Sequence, residues 1–312
     1  MKIVIAGGTG FLGRPLTERL LAEGHDVVVL TRGGASQMPA RAVVWSPGDD
    51  VGSGGRWAGE IDGAYAVVNL AGESIAGRRW SAAHKQHILD SRVGATRSLA
   101  AAIGRASRPP SVFASGSAVG YYGPLGDELA VETTPAGSDF LGQVCQQWEA
   151  EARRAASART RVVCIRTGLV LERDGGALPQ MLPPFKVGAG GPVGSGRQYW
   201  AWIHRTDWID LVRWAIRTDA AEGPLNATAP EPVRNAEFAH ALGRALRRPS
   251  FMPAPAFALR LLLGEMADAL LLSGQRAVPA KAGALGFSFK YTRVDDALAA
   301  IFSTPRASAA RR

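Results

Sequence analysis

The most demanding stretch of the chain is Lys2-Ile-Val-Ile-Ala-Gly7-Gly8-Thr9-Gly10-Phe11-Leu12-Gly13, which runs straight into an amphipathic segment. A buried strand here must turn sharply, bring its backbone against a pyrophosphate, and pack a helix on itself. None of those steps leaves room for a Cβ at positions 7, 10 and 13. The free N–H groups and dipole of the helix N-terminus then favour the anion. Gly7, Thr9, Gly10, Phe11, Leu12 and Gly13 are therefore expected to line a dinucleotide. A second apolar strand begins at Asp26 and ends in Thr31-Arg32-Gly33. A carboxylate at that end would bond both ribose hydroxyls and select NAD. Arg32, beside Thr31, instead offers a fork for a 2′-phosphate and a face for adenine. NADP(H) is the expected cofactor.

Other residues could carry chemistry further along. Asn69-Leu70-Ala71-Gly72 closes an apolar run, and its small residues allow a cofactor ribose to lie across the backbone; Asn69 equally suits holding the turn by hydrogen bonds. Ser115, Ser117, Tyr121 and Tyr122 follow another strand end, where ligands bind in such sheets. Serines there also satisfy their own turns, and one of the two phenols is expected only to pack. His204 stands beside Trp202, Arg205 and Asp207, and near Asp207 it could act as a general acid or base close to neutral pH. A histidine bonded only to its own loop is the alternative. Arg197, Tyr199 and Trp200 form a cationic, aromatic cluster suited to an anionic or planar substrate, or to packing between lobes. His84 and His87 lie three apart on a polar helix without an evident third ligand, so no metal is expected.

The elements that must position these groups alternate short apolar runs with amphipathic stretches, the pattern of βαβ units. Strands are predicted at Lys2–Ala6, Asp26–Thr31, Ala42–Trp45, Ala66–Leu70, Ser111–Ser115 and Arg161–Arg166, and helices at Phe11–Ala22, Ser81–Ile103 and Phe140–Ala156. Ser81 and Asp139 are placed to cap the last two. The Gly- and Pro-rich stretch Asp174–Gly196 reads as a long ordered loop near the active site. The expected fold is α/β: a Rossmann-type doubly wound parallel sheet with a smaller, mostly helical C-terminal substrate lobe. Residues 1–171 and 205–222 are assigned to the NADP-binding domain, 172–204 and 223–303 to the lobe, and 304–312 to a frayed tail.

Bulk properties narrow the classes. The chain has 312 residues, 46% hydrophobic and 20% charged, a globular profile. Its net charge of +9 comes from dispersed arginines with no basic, aromatic-interleaved run, so it suits attraction of a phosphorylated cofactor rather than nucleic acid. The most apolar stretch, Ala256–Leu272, is interrupted by Arg260, Glu265 and Asp268 and reads as an amphipathic core helix, not a membrane span. Two cysteines, Cys145 and Cys164, and an N-terminal strand without a secretory pattern point to the cytoplasm.

Taken together, Gly7-Gly-Thr-Gly-Phe-Leu-Gly13, Asn69-Leu-Ala-Gly72, Ser115-Gly-Ser-Ala-Val-Gly-Tyr-Tyr-Gly123 and Trp202-Ile-His-Arg-Thr-Asp207 resemble the extended short-chain dehydrogenase/reductase superfamily. The resemblance is closer to its atypical, epimerase-like branch, through Arg78-Arg79-Trp80, Ser91-Arg92, Trp148-Glu149 and Arg166-Thr-Gly-Leu-Val-Leu171. It spans essentially the whole chain. It implies Arg92 and Ser115 as cofactor contacts and Ser117, or Ser115, as the substrate-orienting serine. It also implies a Tyr-x-x-x-Lys pair on the helix at Phe140, and the chain departs from it there. Aligned on Glu149, those two places hold Leu141 and Cys145; aligned on Glu151, they hold Gln143 and Gln147. An NADP-dependent reductase, dehydrogenase or epimerase-like enzyme would then need Ser117, Tyr122 or His204 for proton transfer. A dinucleotide-binding sensor or regulator without turnover is the other expected function.

Overall fold

The structure, a computed structural model, describes residues 1–33, 38–47 and 55–303. The expected tail at 304–312 lies outside the described residues. Seven strands form one parallel sheet: β1 (Lys2–Ala6), β2 (Asp26–Thr31), β3 (Arg41–Val44), β4 (Ala66–Asn69), β5 (Val112–Ala118), β6 (Arg161–Thr167) and β7 (Gly223–Ala227). Their spatial order is 3-2-1-4-5-6-7, so the direction of winding reverses between β1 and β4. The crevice at that reversal is where open α/β sheets take their ligands.

Helices α1 (Gly13–Ala22), α2 (Ala82–Arg105), α3 (Phe140–Arg153), α4 (Leu178–Lys186), α5 (Arg205–Arg217), α6 (Asn235–Leu246) and α7 (Ala256–Leu263) surround this sheet and a second core. Leu16 and Leu20 of α1 and Trp208 and Leu211 of α5 pack with Ile3, Ile5 and Val29 on one face. Leu99 and Ile103 of α2 and Ala152 of α3 pack with Val4, Val28 and Phe113 on the other. Covered on both faces, the strands need the near-continuous Val and Ile that the sequence supplies. Ser81 and Asp139 cap α2 and α3 by accepting from the amides of His84 and Gly142.

Three sequence-based expectations are corrected. The segment 223–227 joins the main sheet as its edge strand β7 rather than opening the lobe; Gly223-Pro224 gives no strand signal, yet proline is tolerated on an edge. The stretch read as a long loop contains α4, whose Pro183 and Pro184 lie inside the helix while Leu178, Leu182 and Phe185 are buried. The tertiary contact thus overrides a local breaker. The expected core helix at Ala256–Leu272 breaks at Gly264, where φ is +63°, and α7 buries none of its side chains: Phe257 and Leu261 are 74% and 76% exposed. No helix among the described residues is long and apolar enough to cross a membrane.

The second core gathers Leu182, Phe185, Trp202, Phe238, Leu242, Leu298 and Ile301, so the lobe is built from segments 169–202, 229–246 and 294–302. Ala282 and the rings of Phe287 and Phe289 pack instead with Trp214 and Ala221 of the sheet domain, which ties the C-terminal region to both cores.

Candidate functional site

The glycine turn follows β1, and each glycine has its own reason. Gly7 adopts φ +78°, and a Cβ there would lie 2.7 Å from the Leu70 carbonyl at the end of β4. A Cβ on Gly13 would lie 2.2 Å from the Gly7 oxygen, so only glycine lets α1 start that close to the strand. Gly10 differs: its nearest neighbour would be 3.4 Å away, an ordinary contact. The chain itself does not require glycine at 10, and its exposed outer side is where a ligand backbone would approach. The cap of α1 is Leu12, which offers no side-chain acceptor to the first amides of the helix. Phe11 packs against Gly175 and Gly176, with the Arg205 guanidinium 5.3 Å from its ring centre. Arg205 in turn pairs with Glu172 and Asp174 at 3.1 and 2.5 Å, so the loop after Leu171 roofs the turn.

At the end of β2, Thr31 closes a local turn through its hydroxyl, 3.0 Å from the Gly33 carbonyl, and Arg32 projects exposed beside it. The sequence that follows β2, Arg32 to Arg41, contains no carboxylate. Asn69 is fully buried: its amide nitrogen donates to Thr96 at 2.8 Å and its oxygen accepts from the Ala71 amide at 3.2 Å. Asn69 therefore holds the turn, and the backbone of Leu70, Ala71 and Gly72 is what it presents beside Gly7.

The residues expected to move protons are drawn into other work. Ser117 is buried, and its hydroxyl donates to Glu149 at 2.8 Å. Ser115, also buried, turns its hydroxyl to the Gly116 carbonyl at 3.4 Å. Glu149 receives both Nε and Nη2 of Arg166, at 2.7 and 3.0 Å, and Arg153 at 2.7 Å. Arg166 also donates to the Tyr122 hydroxyl at 3.0 Å, and that hydroxyl donates to Asn226 at 2.7 Å. Burial pushes the Tyr122 phenol above its ordinary pKa despite the neighbouring Arg166. Burial disfavours the Arg166 charge, but the Glu149 carboxylate outweighs it and holds the guanidinium proton more firmly than usual. Tyr121 lies against the same guanidinium, 3.4 Å from its ring centre. Tyr122 is thus a buried strut rather than a phenol open to a substrate.

His204 is corrected as well. Asp207 does not reach it: both its oxygens accept backbone amides, from Lys290 at 2.9 Å and Tyr291 at 2.8 Å. His204 caps α5, its Nδ1 accepting from the Thr206 amide at 3.0 Å, and its ring stacks on Tyr291 at 4.2 Å. Burial, with Arg205 and Lys290 nearby, lowers its pKa to about 4. A neutral imidazole with its basic nitrogen occupied is neither acid nor base near pH 7. Trp200, proposed to meet substrate, is buried against Phe238. Tyr199 lies between Arg234 and Arg276, at 4.7 and 5.3 Å. Arg197 lines a cavity of about 460 Å³ with Asp127, Gln198, Arg234, Leu272 and Ser273. His84 accepts from Arg78 through Nδ1 at 3.0 Å.

The register on α3 is resolved. Leu141 and Cys145 face the end of β5, Leu141 under Gly120 and the Cys145 thiol 3.7 Å from the Ala118 carbonyl, whereas Gln143 and Gln147 are exposed. Burial pushes the Cys145 thiol up to about 12, so it is uncharged. Sequence reasoning missed the Glu149–Arg166 pair as a unit, because its members sit on α3 and β6 and no spacing rule links a helix to a strand.

Residues 3–227 match the model of the NAD dependent epimerase/dehydratase family, and residues 254–301 match a domain of unknown function, DUF1731. The "Epimerase family protein SDR39U1 homolog, chloroplastic" of Arabidopsis thaliana is 43% identical over 303 residues, 96% of this chain and 86% of that protein. The human "Epimerase family protein SDR39U1" is 37% identical over 301 residues, 96% of this chain and 98% of that protein. The crystal structure of human SDR39U1 (isoform 2) with NADPH superposes with a TM-score of 0.89 at 36% identity, over 98% of this chain and 100% of that one. The Rossmann fold and the epimerase-like resemblance read from the glycine turn and strand ends hold, and this chain belongs to the NAD dependent epimerase/dehydratase family.

Proposed function

We propose that this chain binds NADP(H) in the crevice between β1 and β4 and acts as an oxidoreductase on a small molecule held between the sheet domain and the lobe. The observation that carries the cofactor reading is Gly10, bare where the chain would tolerate a side chain, beside the uncapped start of α1. That cradle fits a pyrophosphate, and Arg32, with no acid at the end of β2, fits a 2′-phosphate. The human relative crystallised with NADPH supports the same cofactor. When bound, the nicotinamide supplies hydride chemistry. The chain's own part is to hold the dinucleotide across Leu70–Gly72 and to shield it under the Phe11 and Gly175–Gly176 contact.

Proton transfer is not provided by a tyrosine–lysine pair, and Ser117, Tyr122 and His204 are already engaged, so the substrate oxygen draws its proton from water or from the substrate itself. The same engagement favours a second reading, an NADP(H)-binding sensor without turnover. Calorimetric titration with NADPH and with NADH tests the shared core of both: tight NADPH and weak NADH is the expected result, and binding of neither would overturn them. With NADPH bound, its oxidation in the presence of a panel of small carbonyl compounds separates the enzyme from the sensor.

A further inference from the structure

Among the described residues ten large apolar side chains are exposed, and six of them gather in one stretch of the lobe: Val187 after α4, Phe251 and Met252 after α6, and Phe257, Leu261 and Leu262 of α7. Backbone contacts join the first three: the Met252 amide donates to the Gly190 carbonyl at 3.1 Å, and a Cβ on Gly188 would lie 3.7 Å from the Pro249 ring. Phe257 and Leu261 stand one turn apart on the same side of α7. Apart from Arg260, α7 has no polar side chain, and a helix apolar on all sides belongs in an interior. It is also held at both ends. Ahead of it the Ala254 amide donates to the Pro192 carbonyl at 2.8 Å, and behind it a Cβ on Gly264 would lie 3.0 Å from the Arg79 Nε.

Six side chains, each at least half exposed, present on the order of 800 Å² of apolar surface, above the roughly 300–600 Å² of a monomer's largest patch and on the scale that each partner gives a standard interface. Charge then selects the partner. Ahead of the start of α7 stand Lys186, Arg247 and Arg248, all exposed. Past its end stand Glu265 and Asp268, whose side chains are 56% and 52% exposed. Within the chain these carboxylates pair with Lys85 and Arg260, each at 2.8 Å. Such exposed pairs contribute little, and a carboxylate has lone pairs for a second cation. An anionic bilayer would attract the first end of this face and repel the second. A second copy of the chain, laid antiparallel, answers both: each cationic end meets an acidic one, with the apolar side chains between them.

We propose that α7 and the Phe251–Met252 turn form the isologous interface of a homodimer, the two α7 helices running antiparallel across a two-fold axis. Phe257 of one copy then packs near Leu261 and Leu262 of the other, and Arg247 and Arg248 of one copy face Glu265 of the other. Arg260 sits near the axis, but it arrives already paired: its guanidinium makes three hydrogen bonds to Asp268, at 2.8 to 3.1 Å, so no unpaired cation is buried there.

Sedimentation velocity of the full chain over a range of concentrations tests this. Wild type is expected to dimerise at micromolar concentration. Leu261→Glu is expected to weaken the dimer by about tenfold or more with an unchanged circular dichroism spectrum, since α7 buries none of its side chains in the single chain. The antiparallel arrangement has its own signature. A variant carrying Arg247→Glu and Arg248→Glu sets acid against Glu265 in its own dimer, and Glu265→Lys sets cation against cation, so each alone dimerises weakly. An equimolar mixture of the two pairs opposite charges at both ends, and it is expected to dimerise more tightly than either variant. Wild type that stays monomeric up to about 100 μM would overturn the proposal, as would a dimer indifferent to Leu261→Glu or a mixture no tighter than its components. Monomeric wild type that pellets with phosphatidylglycerol vesicles, and fails to do so as Leu261→Glu, would also overturn it by making this face a membrane contact.

Discussion

Arg32 and Ser117 show how differently two side chains at strand ends can stand. Arg32 is exposed, ends β2, and has the local Thr31–Gly33 turn to hold its backbone, so its guanidinium is available to a ligand phosphate. Arg32→Ala is expected to weaken NADPH by about 1–3 kcal/mol, the range for hydrogen bonds to a charged group, and to leave NADH nearly unchanged; titrating the variant with both cofactors checks this, and an equal loss would remove Arg32 from the 2′-phosphate. Ser117, 4% exposed, spends its one proton on Glu149. It can therefore only accept from a ligand while that bond lasts, the reverse of a serine that donates to a substrate carbonyl.

At the scale of elements, α1 and α5 both begin at the ligand edge of the sheet, but their starts are finished differently. The start of α1 has no side-chain cap and stays open to an anion, whereas α5 is closed by the His204 ring. That cap makes α5 sensitive to acid. The folded pKa of His204 is about 4, below the unfolded value near 6.5, so the unfolded chain takes up the proton first. The stability this site contributes is complete above pH 6.5 and is lost as pH falls from 6.5 towards 4, on the order of 3 kcal/mol. His204→Asn keeps an oxygen for the Thr206 amide and removes the titration. Urea unfolding at pH 7 and pH 5 should show a smaller difference for the variant than for wild type; the same difference in both would mean another group is responsible.

Across the whole molecule, buried polar links fasten parts that lie far apart in sequence. Glu132 accepts the Asn226 amide of β7 and the Lys281 amide, both at 3.1 Å, and Arg166 reaches the Glu132 carbonyl from β6. The sheet's last two strands, α3 and the segment after Arg276 are thereby held as one body behind the ligand crevice. Arg166→Met would leave buried Glu149 with only the exposed Arg153 as its cation and would take a donor from Tyr122 and from the Glu132 carbonyl, and a loss of about 3–5 kcal/mol in urea unfolding is expected. Adding Glu149→Gln to that variant should return much of it, since the stranded charge is then gone. A single variant as stable as wild type would mean the pair is not the fastening.

Where periodicity and local turn geometry decide the outcome, the sequence alone was sufficient. The alternating apolar runs, the caps Ser81 and Asp139 and the glycine turn dictated the doubly wound sheet and its cofactor edge, because each is a constraint between residues a few positions apart. The absence of the tyrosine–lysine pair was equally legible, being a matter of which residues are present. The edge strand β7, the helix through Pro183 and Pro184 and the engagement of Ser117, Tyr122 and His204 were decided only by the tertiary structure. For these side chains a deciding contact is distant in the chain: Glu149 for Ser117, Asn226 for Tyr122, and the Tyr291 ring for His204. A side chain's chemistry depends on what it is bonded to, and those bonds exist only once the fold has closed.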